Sequence, residues 1–105
     1  MSAVIPWWST TFTEADAVAV AGAVRDRCIS QGRITRQFEE ALAERLGVPY
    51  VICTTSGTTA LTMALLAAGV EQGDEVIIPD RTWIATAHAA MLIGARVRLA
   101  DVDSS

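Results

Sequence analysis

The chain has 105 residues, a formal net charge of −4 and a 51% share of apolar residues. Its mean hydropathy of +0.36 excludes a disordered segment, and its length suits one small domain. The acidic balance argues against a nucleic-acid partner, which would need a basic face. All eight basic residues are arginines, so the chain contains no lysine.

The first ten residues, MSAVIPWWST, lack the basic start and apolar centre of a signal peptide. No apolar run is long enough to span a membrane, so we expect a cytoplasmic protein. Residues 1–12 are expected to form an N-terminal arm, anchored by Trp7 and Trp8. Cys28 and Cys53 have no CxxC spacing, so the sequence predicts two buried thiols and no metal site.

Two helices are expected before residue 50. Thr13 and Asp16 form the pattern of a capping box, which predicts a first helix that runs to about Ile29 and is broken before the next one. A second helix is predicted over residues 35–46, and Gly47 is its expected C-terminal stop.

After residue 50, short apolar runs alternate with longer helical patterns. This alternation indicates βαβ units and an α/β fold with an at least partly parallel sheet. The predicted elements are a strand over 50–54, a helix over 57–68, a strand over 75–78, a helix over 83–93 and a strand over 96–101. Because residues 1–105 end directly after a strand, we interpret them as a single partial domain of a larger protein.

The turn between the strand at 50–54 and the next helix is rich in hydroxyl groups and reads TTSGTT. Gly57 permits close approach of the backbone, and the N–H groups of Thr58 and Thr59 fall in the first helical turn, where they lack intrahelical partners. Such donors bind anions, and phosphate is the usual ligand. On the local pattern alone a plain Ser/Thr cap is favoured, because the turn has neither a GxGxxG pattern nor a Walker lysine.

A second turn, at 79–83, places Trp83 at the start of the following helix. At the carboxyl edge of a parallel sheet, where ligands bind, this ring could stack on a flat aromatic cofactor. Taken alone, Trp83 fits a core tryptophan better. His88 lies five residues further on, about 140° around a helix. It therefore does not share a face with Trp83, and we expect it to be exposed or internally satisfied.

Several motifs in register then resemble the DegT/StrS-type sugar-nucleotide aminotransferases, which are fold-type I enzymes that use pyridoxal 5′-phosphate (PLP). The motifs are Ile29-Ser30-Gln31-Gly32, Phe38-Glu39, Ser56-Gly57-Thr58-Thr59-Ala60-Leu61, Gly73-Asp74-Glu75-Val76-Ile77-Ile78-Pro79, Thr82-Trp83-Ile84-Ala85-Thr86-Ala87 and Asp101-Val102-Asp103. The resemblance spans residues 5–103 but corresponds to roughly the first third of a family member. It implies the N-terminal part of the large PLP-binding domain.

The resemblance also implies site residues. Gly57, Thr58 and Thr59 would bind the cofactor phosphate, largely through backbone N–H groups, and Trp83 would stack on the pyridine ring. Thr59 stands where alanine is usual, and His88 where asparagine is common. Arg81 likewise replaces a common aromatic residue, so contacts on the substrate side are in question.

The family's Schiff-base lysine, and the carboxylate that pairs with the pyridine nitrogen, come later in the chain than these motifs. The resemblance therefore implies no catalytic residue in these 105 residues, which alone would be inactive. The full-length parent would transfer an amino group from an amino-acid donor to a nucleotide-linked keto-sugar, as a homodimer in the cytoplasm. The alternatives are a sugar dehydratase of the same family, a non-catalytic truncated remnant, or an unrelated α/β domain that binds another phosphorylated ligand.

Overall fold

The computed structural model describes residues 9–103, and the chain divides into two compact units, Met1–Val51 and Ile52–Ser105. Trp7, Trp8 and most of the predicted arm lie outside the described residues. The four helices are α1 (Glu14–Arg25), α2 (Arg33–Leu46), α3 (Gly57–Ala67) and α4 (Ala85–Ile93), and the two strands are β1 (Glu75–Pro79) and β2 (Arg96–Ala100). The expectation of one domain over 1–105 stays a prediction.

Helix α1 in the first unit begins with the predicted capping box. The Thr13 hydroxyl oxygen accepts the backbone N–H of Asp16, and the Asp16 carboxylate accepts the backbone N–H of Thr13 at 2.7 Å. The helix ends at Arg25, four residues before the predicted end at Ile29. The reason is Arg27, whose φ of +58° lies in the left-handed region and stops the helix without a glycine.

Helix α2 begins two residues earlier than predicted, at Arg33, after an N-cap glycine that makes no side-chain cap. It ends as predicted, because Gly47 adopts a left-handed φ of +66°. The N–H of Val48 then donates to the carbonyl of Ala43 at 3.1 Å, which satisfies a carbonyl in the last turn of the helix.

The second unit contains one parallel pair of strands, and a helix precedes each strand: α3 before β1 and α4 before β2. Strand β1 pairs with β2 in parallel, with Val76 opposite Val97 and Ile78 opposite Leu99, which confirms the predicted parallel βαβ unit. The predicted strand at 50–54 is not formed, because a strand requires a hydrogen-bonded partner and the described residues contain only the β1–β2 ladder.

The core of this second unit lies between α4 and its neighbours. Helix α4 packs against α3 and against both strands. The buried side chains are small, apart from one isoleucine: Ile78, Ala89, Ala90 and Ala95. Left-handed glycines end both helices, with φ values of +83° at Gly69 and +84° at Gly94. Each glycine directs the chain away from the axis of its helix, and the chain after Gly94 leads directly into β2.

Candidate functional site

Helix α3 begins at Gly57, directly after the hydroxyl-rich turn. Ser56 is its N-cap, and the Ser56 Oγ accepts the backbone N–H of Thr59 at 3.2 Å. The plain cap considered from the sequence is therefore present. The N–H groups of Gly57 and Thr58 belong to the first turn, where a helix offers no acceptor, and residues 9–103 provide no other acceptor for them. The free donors are thus Gly57 and Thr58, whereas the sequence indicated Thr58 and Thr59.

Further hydroxyl groups fix the residues that lead into α3. The Thr54 Oγ1 donates to the Ser56 carbonyl at 2.9 Å, and that carbonyl also accepts the N–H of Ala60 at 3.0 Å. The Thr59 Oγ1 lies 3.0 Å from the Ser56 Oγ and 3.4 Å from the Thr55 Oγ1. The turn is therefore held by its own side chains.

The space in front of this turn suits a phosphate group. A Cβ atom placed on Gly57 would meet no atom within 4 Å, so the approach to the backbone is open. The N-terminus of α3 carries the positive end of the helix dipole. Two free N–H donors, an open approach and a positive potential together satisfy the physical requirements for binding a phosphate dianion.

Trp83 lies in the second turn, between β1 and α4. Its side chain is 72% exposed, so the alternative of a core tryptophan is wrong for this structure. The Trp83 carbonyl accepts the N–H of Thr86 at 3.0 Å, and the hydroxyls of Thr82 and Thr86 lie 3.1 Å apart. The backbone of the turn is therefore tied to the first turn of α4, while the indole ring stays available for stacking.

The four residues predicted for the cofactor site all belong to the unit Ile52–Ser105. Gly57, Thr58 and Thr59 form the first turn of α3, and Trp83 lies two residues before α4. Because α3 and α4 pack against each other, one core supports both turns. The predicted helix over 83–93 begins only at Ala85, which leaves Trp83 in the turn rather than on the helix.

A cavity of about 300 Å³ adjoins the first turn of α3 and is lined by Thr58, His88, Met91 and Leu92. His88 is exposed, as expected. The sequence did not connect His88 with Thr58, because their proximity depends on the packing of α4 against α3. The available signal was the spacing of His88, Met91 and Leu92, which places all three on one face of a helix.

The remaining groups with possible chemistry do not assemble into a site. Cys28 and Cys53 are half-buried rather than buried and form no disulfide. The prediction of buried thiols is wrong, because Cys28 follows α1 and Cys53 precedes α3, both outside the helices and strands. Among residues 9–103, no three His, Cys, Asp or Glu side chains are grouped as metal ligands would be. No helix in the same range is both long and apolar enough to cross a membrane.

Comparison with known proteins places the chain among aminotransferases. A sequence model of the DegT/DnrJ/EryC1/StrS aminotransferase family matches residues 11–105. GDP-perosamine synthase from Caulobacter vibrioides is 46% identical over 74 residues, which cover 70% of this chain and 20% of that protein. The chain therefore spans about a fifth of the length of this relative.

Two solved structures share the fold at similar partial coverage. A candidate sugar aminotransferase from Streptococcus pneumoniae, in its PLP form, has a TM-score of 0.85 at 31% identity. The match covers 96% of this chain and 26% of that protein's chain. The GDP-4-keto-6-deoxy-D-mannose-3-dehydratase of E. coli, with bound hydrated PLP, has a TM-score of 0.81 at 26% identity. The match covers 93% of this chain and 27% of that protein's chain.

These likenesses confirm that the chain has the fold of part of a fold-type I enzyme, although its first predicted strand is unpaired here. They exclude an unrelated α/β domain, and they indicate PLP as the cofactor. The chain belongs to the DegT/DnrJ/EryC1/StrS aminotransferase family.

Proposed function

We propose that the chain is the N-terminal part of a PLP-dependent aminotransferase that transfers an amino group to a nucleotide-linked keto-sugar. The GDP-perosamine synthase relative and the sugar aminotransferase structure support this proposal. The observation that carries it is the turn at Gly57 and Thr58, which has two N–H donors without an acceptor among residues 9–103 and open space beside the Gly57 backbone. This turn lies in the same compact unit as the exposed ring of Trp83.

In this proposal the chain binds and orients the cofactor. The N–H groups of Gly57 and Thr58 bind the phosphate, and Trp83 stacks on the pyridine ring. The N–H of Thr59 is already used by Ser56, so Thr59 acts through its side chain and its place in the first helical turn. PLP, when bound, supplies an electron sink for the chemistry at the amino-bearing carbon.

Catalysis requires groups that these residues do not provide. Transamination needs an amine that anchors the cofactor and moves a proton, and the chain contains no lysine. We therefore propose that a later segment of the full-length protein supplies this lysine and the carboxylate that pairs with the pyridine nitrogen. The 105-residue chain on its own would be inactive.

A dehydratase of the same family is the second candidate function. The E. coli dehydratase structure covers nearly the same share of this chain as the aminotransferase structure does. The residues described here therefore favour neither activity over the other. A remnant without catalytic function is the third candidate, since the cofactor turn could persist without the remaining machinery.

The full-length protein is further proposed to be a cytoplasmic homodimer that acts on a nucleotide-sugar with an amino-acid amino donor. Exposed apolar side chains support a further interface: within the unit Ile52–Ser105, Ile77 is 69% and Leu99 is 64% exposed. The register places these two side chains on opposite faces of the β1–β2 pair, so each face leaves apolar surface for another surface to cover. Sedimentation analysis of the full-length protein tests the dimer.

The coding sequence beyond Ser105 separates the candidates. An in-frame continuation with an aspartate and a lysine supports the aminotransferase, histidine in place of the lysine supports the dehydratase, and an early stop supports the remnant. The full-length protein is then incubated with PLP, glutamate and a panel of nucleotide-linked keto-sugars, with reactions lacking the sugar as controls. Formation of an amino-sugar, detected by mass spectrometry, is the expected result, and a full-length protein that binds no PLP would overturn the proposal.

A further inference from the structure

The hydroxyl groups of Thr55, Ser56 and Thr59 form a chain in which Thr59 is the middle member. Its Oγ1 lies 3.0 Å from the Ser56 Oγ and 3.4 Å from the Thr55 Oγ1. A hydroxyl has one proton to donate and two lone pairs that accept. The hydroxyl of Thr59 either donates to one neighbour and accepts from the other, or accepts from both. Loss of that hydroxyl therefore breaks both links.

The two links tie the turn to the helix at different points. Ser56 is the N-cap, with extended backbone angles of φ −162° and ψ 162°. Its Oγ already accepts the N–H of Thr59, so the hydroxyl contact adds a second bond between the same two residues. The bond to Thr55 reaches one residue further back. Thr59 thus holds both residues that precede Gly57 against the first turn of α3.

The hydroxyl chain would affect ligand binding through the N–H donors that it leaves free. The N–H groups of Gly57 and Thr58 lie between the tethered residues and the tethering side chain. A turn that is already ordered loses less conformational entropy when a ligand binds, which raises the affinity. The two links use two of the three hydroxyl protons, so one proton stays available for a further acceptor such as an anion.

We propose that Thr59 is a positioning residue for the cofactor phosphate. Its hydroxyl holds Thr55 and Ser56 in the conformation in which the N–H groups of Gly57 and Thr58 have no acceptor among residues 9–103. The inference rests on the proposed function, since it takes the phosphate of PLP as the ligand of this turn. It assigns to a side chain a role that the family resemblance assigned to the backbone.

The test compares two ligands that differ only in the phosphate, pyridoxamine 5′-phosphate and pyridoxamine. Their affinities are measured by calorimetry for the full-length protein and for the variants Thr59→Val, Thr59→Ser and Thr62→Val. Valine keeps the branched shape and removes the hydroxyl, while serine keeps the hydroxyl. Thr62→Val is the matched control, because the Thr62 hydroxyl donates to the Thr58 carbonyl along the same helix and contacts neither Thr55 nor Ser56.

We expect Thr59→Val to bind pyridoxamine 5′-phosphate about threefold to tenfold more weakly, as the loss of one or two net hydrogen bonds would predict. Pyridoxamine affinity should be unchanged, and Thr59→Ser and Thr62→Val should resemble the wild type. Equal losses for both ligands, or no loss for either, would overturn the positioning role. If the wild type itself does not prefer the phosphorylated ligand, the proposed cofactor turn is wrong, and the inference fails with it.

Discussion

The hydroxyl of Ser56 accepts the backbone N–H of Thr59 at 3.2 Å, so helix α3 is capped by the side chain of the residue that precedes it. A ligand at this turn is not needed to complete the cap. Its binding depends instead on the two N–H groups that the cap leaves unused, those of Gly57 and Thr58. We therefore expect stability and phosphate affinity to respond separately to a substitution that keeps the cap.

Substitution of Ser56 tests this separation. Ser56→Ala should lower the free energy of unfolding by about 1 kcal/mol, because the N-cap acceptor is lost. Ser56→Asp keeps an acceptor and favours the helix dipole, so its stability should match the wild type, while its negative charge should weaken binding of pyridoxamine 5′-phosphate. Chemical denaturation and calorimetry on the full-length protein measure the two effects. Undiminished phosphate affinity in Ser56→Asp would mean that the phosphate binds elsewhere.

Gly57→Ala should raise the stability of the fold and lower its affinity for phosphate. Its added Cβ meets no protein atom within 4 Å, and alanine should stabilise the helix by about 0.5–1 kcal/mol. The same Cβ occupies the open space in front of the turn, so phosphate affinity should fall. Gly22→Ala, in α1, is the matched control, because it also meets no atom within 4 Å. Its binding should be unchanged, and unaltered phosphate affinity in both variants would contradict close approach at Gly57.

Trp83 should contribute to binding of the cofactor ring and contribute little to the stability of the fold. Because its side chain is 72% exposed, Trp83→Ala should leave the unfolding midpoint nearly unchanged. Loss of a stacked pair worth about 0.5–1.5 kcal/mol should weaken pyridoxamine binding about twofold to twelvefold, and Trp83→Phe should recover part of it. Tyr50→Ala removes another exposed ring, 85% accessible, and serves as the control. Equal pyridoxamine affinity in wild type and Trp83→Ala would exclude stacking.

Gly94 should tolerate a side chain less well than Gly69. Both have a left-handed φ, +84° and +83°, so alanine at either position costs about 1–2 kcal/mol. At Gly94 the new Cβ would also lie 2.9 Å from the Cγ of Gln72, whereas at Gly69 it would meet nothing within 4 Å. We expect Gly94→Ala to be the less stable variant by about 1 kcal/mol or more in denaturant titrations. Equal stabilities would show that Gln72 moves aside without cost.

The capping box of α1 should give an acid-dependent contribution to stability. Hydrogen bonds from the Thr13 hydroxyl and then from its backbone N–H lower the pKa of the Asp16 carboxyl below its ordinary value. A lowered folded-state pKa stabilises the fold at pH values above the unfolded-state pKa of about 3.9. This contribution is lost as the pH falls through the folded-state pKa.

An NMR titration of the Asp16 side chain checks this sign. The midpoint should lie below about 3.9, and Thr13→Val should raise it, because the hydroxyl donor at 2.7 Å is removed. Thr13→Ser keeps that donor and should titrate like the wild type. A midpoint that does not move in Thr13→Val would show that the carboxylate is not bound to the hydroxyl in solution.

Elements with local signals were predictable from the sequence. Gly47, Gly69 and Gly94 end their helices in the left-handed conformation that glycine favours, and Gly47 was expected at that place. The end of α1 was missed because Arg27 adopts the same conformation without being a glycine. The amino-acid type carried no signal there, so the helix was extended to Ile29.

Features that depend on pairing or packing were not predictable in this way. Residues 50–54 have the apolar composition of a strand, but a strand exists only where another one bonds to it. The cavity shared by Thr58 and His88 likewise depends on how α4 packs against α3. The position of the hydroxyl-rich turn before α3 was predictable, since the Ser/Thr cap pattern and Gly57 are local. Which of its N–H groups stay free depended on the bond between Ser56 and Thr59.

The two most buried residues of α4, Ala89 and Ala90, are also among the smallest side chains available. A helix seated through alanines lies close to its neighbours and has almost no side-chain freedom with which to absorb a change. A larger residue at these positions would shift α4, and the backbone of Trp83 is bonded to the first turn of that helix. In the proposed site such a substitution would move the indole ring of Trp83, and we expect a shift in the absorption of bound PLP to report it.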